Sequence, residues 1–208
     1  MLRSRALRLM IYDTTCRGAD GRLPLSHAWQ AGEGLYRGLG RIDAACGAES
    51  WEEALDFLAT HRLGEAVGEV QFWGHGRWGC ALIDGQRLDA GALRAGHRLR
   101  GRLEAVRERM DAGGLWWFRT CETLGAEAGH DLARRWSDFF GGRVAGHTFV
   151  IGAWQSGLHS LAAGEVPGWS TSEGLAAGTP SAPERALGAA PWRPRTISFL
   201  HGRIPAGW

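Results

Sequence analysis

The chain has 208 residues, of which 44% are hydrophobic and 22% charged, and its formal net charge is +2. This is the composition of a globular protein, and we expect one domain over residues 1–208. The sequence holds no run of about 18 apolar residues that would predict a membrane span. Its arginines are scattered, which argues against a nucleic-acid partner. We therefore expect a cytoplasmic location.

The first half of the chain alternates strand-like and helix-like segments. Ser26 is a candidate N-cap for the first helix, and Ser50 with Glu53 forms the capping-box pattern before the second. The dipeptide Asp84-Gly85 is a strong hairpin-turn signal. In chain order the predicted elements are strand 7–13, helix 26–40, strand 41–47, helix 49–64, strand 68–74, hairpin 80–88 and helix 89–110.

The second half continues the alternation and then changes in composition. Strand, helix and strand are predicted over 113–121, 125–142 and 143–152. Glycine and proline become frequent over about 160–194, which predicts a long loop with little regular structure. A last strand is predicted over 195–202, and the tail 205–208 is expected to be loose.

Alternating strands and helices predict an α/β fold, with a mostly parallel sheet between two layers of helices. Ligand sites in such sheets lie beyond the carboxyl ends of the strands. Two chemically capable side chains occupy such positions, because His75 follows the strand "VQFWG" and Cys121 follows "LWWFRT". Successive strands joined by a crossover are usually neighbours, so we expect these two residues to lie close together.

A thiol and an imidazole at one site can perform acyl transfer. We expect Cys121 to attack a carbonyl carbon and His75 to manage the protons. The backbone amides of Gly76 and Cys121 are candidates for stabilising the oxyanion. The predicted helix that starts soon after Cys121 is expected to favour its thiolate form.

The segments "GHGRWGCALIDGQRL" and "FRTCETLG" resemble the His loop and the Cys loop of the caspase-like cysteine peptidases. This group includes metacaspases and bacterial CHAT domains. The separation of 121 − 75 = 46 residues is similar to the spacing of about 50 in caspases. The resemblance covers most of the chain. It implies a three-layer α/β/α sandwich with a six-stranded sheet, and a cysteine endopeptidase that cleaves its substrate through a thioester intermediate.

The resemblance also implies where the substrate is recognised. The residue two before the nucleophile lines the side-chain pocket in this family, and here it is Arg119. Its guanidinium would match an acidic side chain by bidentate pairing. The loop after the first strand holds Asp13 and Arg17, so Asp13 could instead pair with Arg119 and neutralise it. Trp154 and Gln155 follow the fifth strand and are expected to face the cleft.

Two other functions compete with the peptidase. One is a caspase-like binding or regulatory module without activity, which would need a partner protein instead of a protein or peptide substrate. The other is a nucleotide-binding domain, but no Gly-rich phosphate loop follows the first strand. Cys16, Cys46, Cys80 and Cys121 are separated by 30, 34 and 41 residues. This is not metal-ligand spacing, so we expect no metal and no cofactor. A cysteine taken alone is most often a small buried residue.

Overall fold

The computed structural model describes residues 5–17 and 24–208. Its strands are β1 (Leu7–Asp13), β2 (Ala44–Ala48), β3 (Val67–Trp73), β4 (His75–Arg77), β5 (Cys80–Ile83), β6 (Gln86–Asp89), β7 (Met110–Arg119), β8 (Arg143–His147), β9 (Trp154–Gln155), β10 (Leu158–Ala162), β11 (Leu175–Gly178), β12 (Pro183–Ala186) and β13 (Ile197–Ser198). Its helices are α1 (Leu25–Gly38), α2 (Trp51–Thr60), α3 (Arg100–Arg109) and α4 (Ala126–Phe140), and a 3₁₀ turn spans Ala90–Leu93.

Six strands form the central sheet in the order β10-β8-β7-β3-β1-β2. The contacts among β8, β7, β3, β1 and β2 are parallel, and β10 joins the edge in the antiparallel sense. The α/β class and the six-stranded, mostly parallel sheet that the sequence predicts are confirmed. The carboxyl ends of β1, β3 and β7 meet at one edge of this sheet.

Both faces of the sheet are covered. Leu9, Phe72 and Trp116 belong to the larger core on one face, where α2, α3 and α4 pack. On the other face Met10 and Trp73 pack with Tyr36 of α1. Adjacent residues of a strand point to opposite faces, which explains why Trp116 and Trp117 lie in different apolar clusters.

Local signals placed several elements correctly. The hydroxyl of Ser50 accepts a hydrogen bond from the amide of Glu53 at 3.2 Å and caps α2. Asp84 and Gly85 have φ angles of 48° and 70°, as the tight turn between β5 and β6 requires. The cap prediction for α1 is wrong. This helix begins at Leu25 without a side-chain cap, and Ser26 donates its hydroxyl to the carbonyl of Cys16 instead.

Three predictions of elements are wrong. The helix expected over 89–110 is a 3₁₀ turn followed by the shorter α3, and Gly96 between them has a φ of 78° that favours glycine. The sixth sheet strand is β10, whereas the segment expected to provide it supplies only β13, which pairs with β9 outside the central sheet. The Gly- and Pro-rich loop over 160–194 contains the end of β10 and the hairpin β11–β12.

The C-terminal tail has defined contacts, although the sequence predicts it to be loose. Ser160 donates its hydroxyl to the carbonyl of Trp208, and Trp208 packs against the apolar cluster of Trp117 and Leu158. Much of the loop predicted after β1 falls on residues 18–23, which lie outside the described residues. Across the described ranges, no helix combines the length and apolar character needed to cross a bilayer.

Candidate active site

His75 lies just past the end of β3, where Gly74 separates it from Trp73. It is the first residue of β4, in a small antiparallel sheet with β5 and β6, and its side chain is exposed. The Trp29 ring meets the imidazole edge-on, with 5.5 Å between ring centroids. The imidazole Nε2 lies 3.2 Å from the Sγ of Cys16.

Cys121 occupies the equivalent position after the neighbouring strand. Trp73 of β3 is paired in register with Arg119 of β7, so His75 and Cys121 each lie two residues beyond this pair. The Sγ of Cys121 contacts the carbonyl oxygen of Ile151 at 3.9 Å. The register between β3 and β7 therefore brings His75 and Cys121 to the same edge of the sheet, as the sequence predicts.

The loop after Cys121 is held by two buried threonines. The hydroxyl of Thr123 donates to the carbonyl of Cys121 at 3.1 Å and approaches the carbonyl of Cys80 at 3.4 Å. It also shares a hydrogen bond with the hydroxyl of Thr120. Since Cys80 begins β5, Thr123 connects the loop of Cys121 to the small sheet that carries His75.

Gly76 makes the direct contact between the two loops. A Cβ atom added at this position would lie 2.6 Å from the carbonyl oxygen of Cys121 and 2.7 Å from the Cβ of Thr120, with the Thr123 hydroxyl also in its way. Only a residue without a side chain permits so close an approach. The backbone of Gly76 and that of Cys121 are therefore in van der Waals contact.

His75 and Cys121 line one pocket of about 370 Å³. Arg119 and Gln155 lie at the same pocket, and the remaining lining is mostly apolar, from α1, residues 151–153 and Phe199. Within the described part of the chain no hydrogen bond joins the imidazole of His75 to the thiol of Cys121. The imidazole contacts the sulfur of Cys16, and the Cys121 thiol contacts the carbonyl oxygen of Ile151. The arrangement places a thiol and an imidazole at one mostly apolar cavity.

The electrostatic expectation for Cys121 is wrong. Burial raises the pKa of the Cys121 thiol, and the carboxyl group of Glu122 adds to the rise. The helix that was expected to favour the thiolate starts only at Ala126, and such effects fade within a turn of the helix end. At neutral pH Cys121 is therefore a protonated thiol that needs a base.

Glu122 itself is unusual. It has a φ of 41°, in the left-handed region that non-glycine residues rarely adopt. Its side chain is buried, and its Oε2 has no hydrogen-bond partner. Burial raises the pKa of this carboxyl group, with Arg77 opposing the rise. The residue after the candidate nucleophile is thus held in a strained conformation by its surroundings.

Arg119 does not offer the bidentate pairing that the sequence suggests. Only 3% of it is exposed, and its two terminal nitrogens donate to neutral oxygens: the Tyr36 hydroxyl, the Gln155 side chain and the carbonyls of Phe199 and His201. Its Nε is buried without a partner. The guanidinium also lies against the rings of Trp73 and Trp117, at 4.7 and 4.5 Å from their centroids. These contacts hold Phe199 in the wall of the pocket.

The remaining predicted substrate residues divide into two groups. Gln155 lines the pocket, whereas its neighbour Trp154 is exposed and is not part of the lining, because adjacent strand residues face opposite ways. Asp13 is buried and accepts hydrogen bonds from the amide and hydroxyl of Thr15, both at 2.7 Å, so it does not neutralise Arg119. Arg17 is exposed and lies outside the pocket lining.

Sequence reasoning missed Cys16. Taken alone it is a cysteine in a loop, and its contact with His75 depends on β1 lying next to β3 with Tyr12 paired to Trp73. The order of the strands in the sheet is not written in a single local motif. Among the described residues, no group of three His, Cys, Asp or Glu side chains is placed to hold a metal ion.

Comparisons with known proteins complete the description. No family model matches the chain, and no curated protein matches it. Among solved structures it is similar to a secreted C11 cysteine protease from Bacteroides thetaiotaomicron, determined in complex with an irreversible peptide inhibitor. The sequences are 12% identical and the TM-score is 0.39, over 70% of this chain and 49% of the other. The chain thus spans about half the length of that protease.

Proposed function

We propose that the protein is a caspase-like cysteine endopeptidase with Cys121 as nucleophile and His75 as general base and acid. The observation that carries this proposal is the placement of both side chains in one pocket, two residues past the register pair Trp73 and Arg119. A protein or peptide chain is the proposed substrate. The bacterial CHAT and metacaspase-type domains are the relatives that this function would imply.

The mechanism follows from the state of the thiol. Because burial raises the pKa of Cys121, a proton must leave the sulfur as it bonds to the substrate carbonyl carbon. His75 accepts this proton and delivers it to the leaving amine as the peptide C–N bond breaks, which leaves a thioester. Water, deprotonated by the same imidazole, then releases the acid product and restores the thiol.

Backbone amides are proposed to stabilise the oxyanion that forms in each step. Gly76 is paired with Ala81 in the ladder between β4 and β5, and the next pair, Arg77 with Cys80, closes the two-residue hairpin. The closing pair of such a hairpin exchanges hydrogen bonds, so the amide of Gly76 points away from β5. Its contact with the loop of Cys121 supports a shared oxyanion site with the Cys121 amide.

The pocket supports a restriction on the substrate side chain. Arg119 carries a positive charge at the pocket, and within the described ranges no carboxylate forms an ion pair with it. A lysine or arginine side chain would meet this charge in a mostly apolar environment, at a high desolvation cost. We propose that basic side chains are excluded and that acidic ones are favoured by charge, without direct pairing to the occupied terminal nitrogens of Arg119.

A binding module without activity is the second candidate. The observation that favours it is that the imidazole contacts Cys16 and not Cys121. The two functions differ in what Cys121 does. An enzyme would be labelled at Cys121 by a peptidyl chloromethylketone, since this probe requires a nucleophile beside an occupied peptide site. A binding module would retain peptides without turnover and without labelling.

The test compares wild type with Cys121→Ala on a library of peptides that varies the side chain before the cleaved bond. We expect Cys121→Ala to abolish cleavage, and thermal unfolding to change little. Cys46→Ala is the matched control, because Cys46 is a partly buried free cysteine on β2 that is not part of the pocket lining. Wild-type cleavage by Cys121→Ala would overturn the proposal. Absence of both cleavage and Cys121 labelling in wild type would favour the binding module.

A further inference from the structure

Cys16 and His75 form a thiol–imidazole pair at the mouth of the pocket. The sulfur lies 3.2 Å from Nε2, within hydrogen-bond distance for a sulfur atom. The pair brings together the loop after β1 and the start of β4. The candidate catalytic base, His75, makes its side-chain hydrogen bond with Cys16 in this structure. A chemical modification of the Cys16 sulfur would therefore alter the surroundings of the imidazole.

The position of Cys16 is fixed by its own neighbours. Ser26 of α1 donates its hydroxyl to the carbonyl of Cys16 at 3.0 Å. The preceding residue, Thr15, is held by Asp13 and accepts a hydrogen bond from the amide of Asp84 at 3.1 Å. On the other side of the imidazole lies the Trp29 ring. These contacts hold the loop after β1 in a conformation that places the Cys16 thiol beside the Nε2 atom of His75.

Cys16 differs from the other cysteines in its partner. Cys80 is buried, whereas Cys16, Cys46 and Cys121 are all partly exposed. Burial raises the pKa of the Cys46, Cys80 and Cys121 thiols. The Cys16 sulfur lies beside the exposed imidazole of His75. A thiol beside an accessible imidazole can pass its proton to the ring and become a nucleophile.

The local charge is mixed. Arg17 follows Cys16 and Arg77 lies two residues after His75, and both are exposed. Asp84, whose amide donates to Thr15, is exposed as well. Because both signs are present, small disulfides of either charge are candidate reagents at this thiol.

We propose that Cys16 is a modification site that forms a mixed disulfide with small disulfides, of which oxidised glutathione is the example, and that the adduct blocks His75. The Cys16 sulfur attacks one sulfur of the disulfide as its proton passes to His75. One S–S bond forms, the original S–S bond breaks, and the departing thiolate takes the proton from the imidazole. The small disulfide is the oxidant, and a reducing thiol reverses the exchange. This chemistry does not depend on peptidase activity.

The experiment uses the full-length Cys121→Ala protein, so that the candidate nucleophile does not react. It is incubated with oxidised glutathione, and the adduct is located by peptide mass mapping. We expect one glutathionyl group, on Cys16. In the same background, Cys16→Ser should take up none, and His75→Ala should react roughly tenfold more slowly, because the thiol loses its base.

Two outcomes would overturn the proposal: modification at Cys46 or Cys80 in preference to Cys16, or an equal rate in His75→Ala. Since His75 is exposed, its substitution is expected to leave the fold intact, and His75→Gln serves as a second variant if His75→Ala does not fold. Where wild type cleaves peptides, treatment should lower the activity of wild type more than that of Cys16→Ser, whose remaining loss measures reaction at Cys121. An inactive wild type would sink the proposed peptidase and leave the mass-mapping result to decide on Cys16.

Discussion

The contact at Gly76 predicts that Gly76→Ala separates the two halves of the site. The added Cβ would lie 2.6 Å from the carbonyl oxygen of Cys121, whereas ordinary contacts begin at 3.4 Å. The difference, 3.4 − 2.6 = 0.8 Å, has to come from movement of backbone, because the obstructing carbonyl cannot rotate away. Thr120 and Thr123 obstruct the same position, so the Cys loop and the His75 strand must move apart.

Both stability and activity should fall. Forcing one extra carbon atom into a packed region costs about 1–3 kcal/mol of unfolding free energy. A displacement of about 1 Å between catalytic groups lowers rates by up to about a hundredfold. Since alanine keeps the backbone amide, the loss would report the spacing of His75 and Cys121 and not the removal of a hydrogen-bond donor.

The assay is kcat/KM on a cleaved peptide, together with urea unfolding of the same samples. Gly101→Ala is the matched control, because Gly101 lies in α3 and a Cβ there would meet nothing within 4 Å. This control should keep wild-type activity and gain about 0.5–1 kcal/mol of stability, as alanine does in a helix interior. Gly76→Ala with activity within twofold of wild type and unchanged stability would refute the contact.

Two further predictions concern buried groups. His147 is fully buried, and burial, with Arg119 nearby, lowers its pKa to about 3; below pH 6.5 the unfolded chain therefore gains a proton that the folded one does not. The unfolding free energy should fall by about 1.4 kcal/mol per pH unit between about pH 6 and 4, and His147→Asn, which keeps a donor for Ser156, should flatten this slope in urea titrations. Thr123→Val keeps the shape of the side chain but removes its hydrogen bonds to Cys121 and Cys80, so we expect a loss of about 1–2 kcal/mol in stability and a lower kcat with KM nearly unchanged. The control is Thr14→Val, because the Thr14 hydroxyl donates to the carbonyl of Ala48, away from this loop. Equal losses of stability and of kcat in the two variants would show that Thr123 does not position the loop of Cys121.

Local sequence patterns were sufficient to predict structure where a few adjacent residues determine the backbone conformation. The apolar run of β1 was bounded correctly, and Ser50 and the Asp84-Gly85 turn were placed because caps and tight turns depend on a few adjacent residues. The strands β3 and β7 were expected to be neighbours, and the structure pairs them with Trp73 opposite Arg119. These features gave His75 and Cys121 without any knowledge of the tertiary structure.

Features that depend on distant segments were not predictable in this way. The strand β10 lies in a glycine-rich region, and its partner β8 decides its conformation. Arg119 was expected to face a substrate carboxylate, but Phe199 and His201, eighty residues later, occupy its donors. The raised pKa of Cys121 reflects burial by the folded chain, which the sequence pattern of a strand end does not reveal.

The imidazole that contacts Cys16 lines the same pocket as Cys121, and the strength of its contact with Cys16 limits how far Cys16 can restrain the proposed reaction. A single hydrogen bond contributes about 1 kcal/mol net, so releasing His75 from Cys16 would cost about a fivefold factor in population. Such a contact can slow turnover at Cys121 but cannot stop it. A covalent adduct on Cys16 is different, because its bulk stays beside the imidazole until a thiol removes it. Reversible loss of activity that exceeds fivefold on disulfide treatment, and that is much smaller in Cys16→Ser, would therefore separate covalent blocking from competition for a proton.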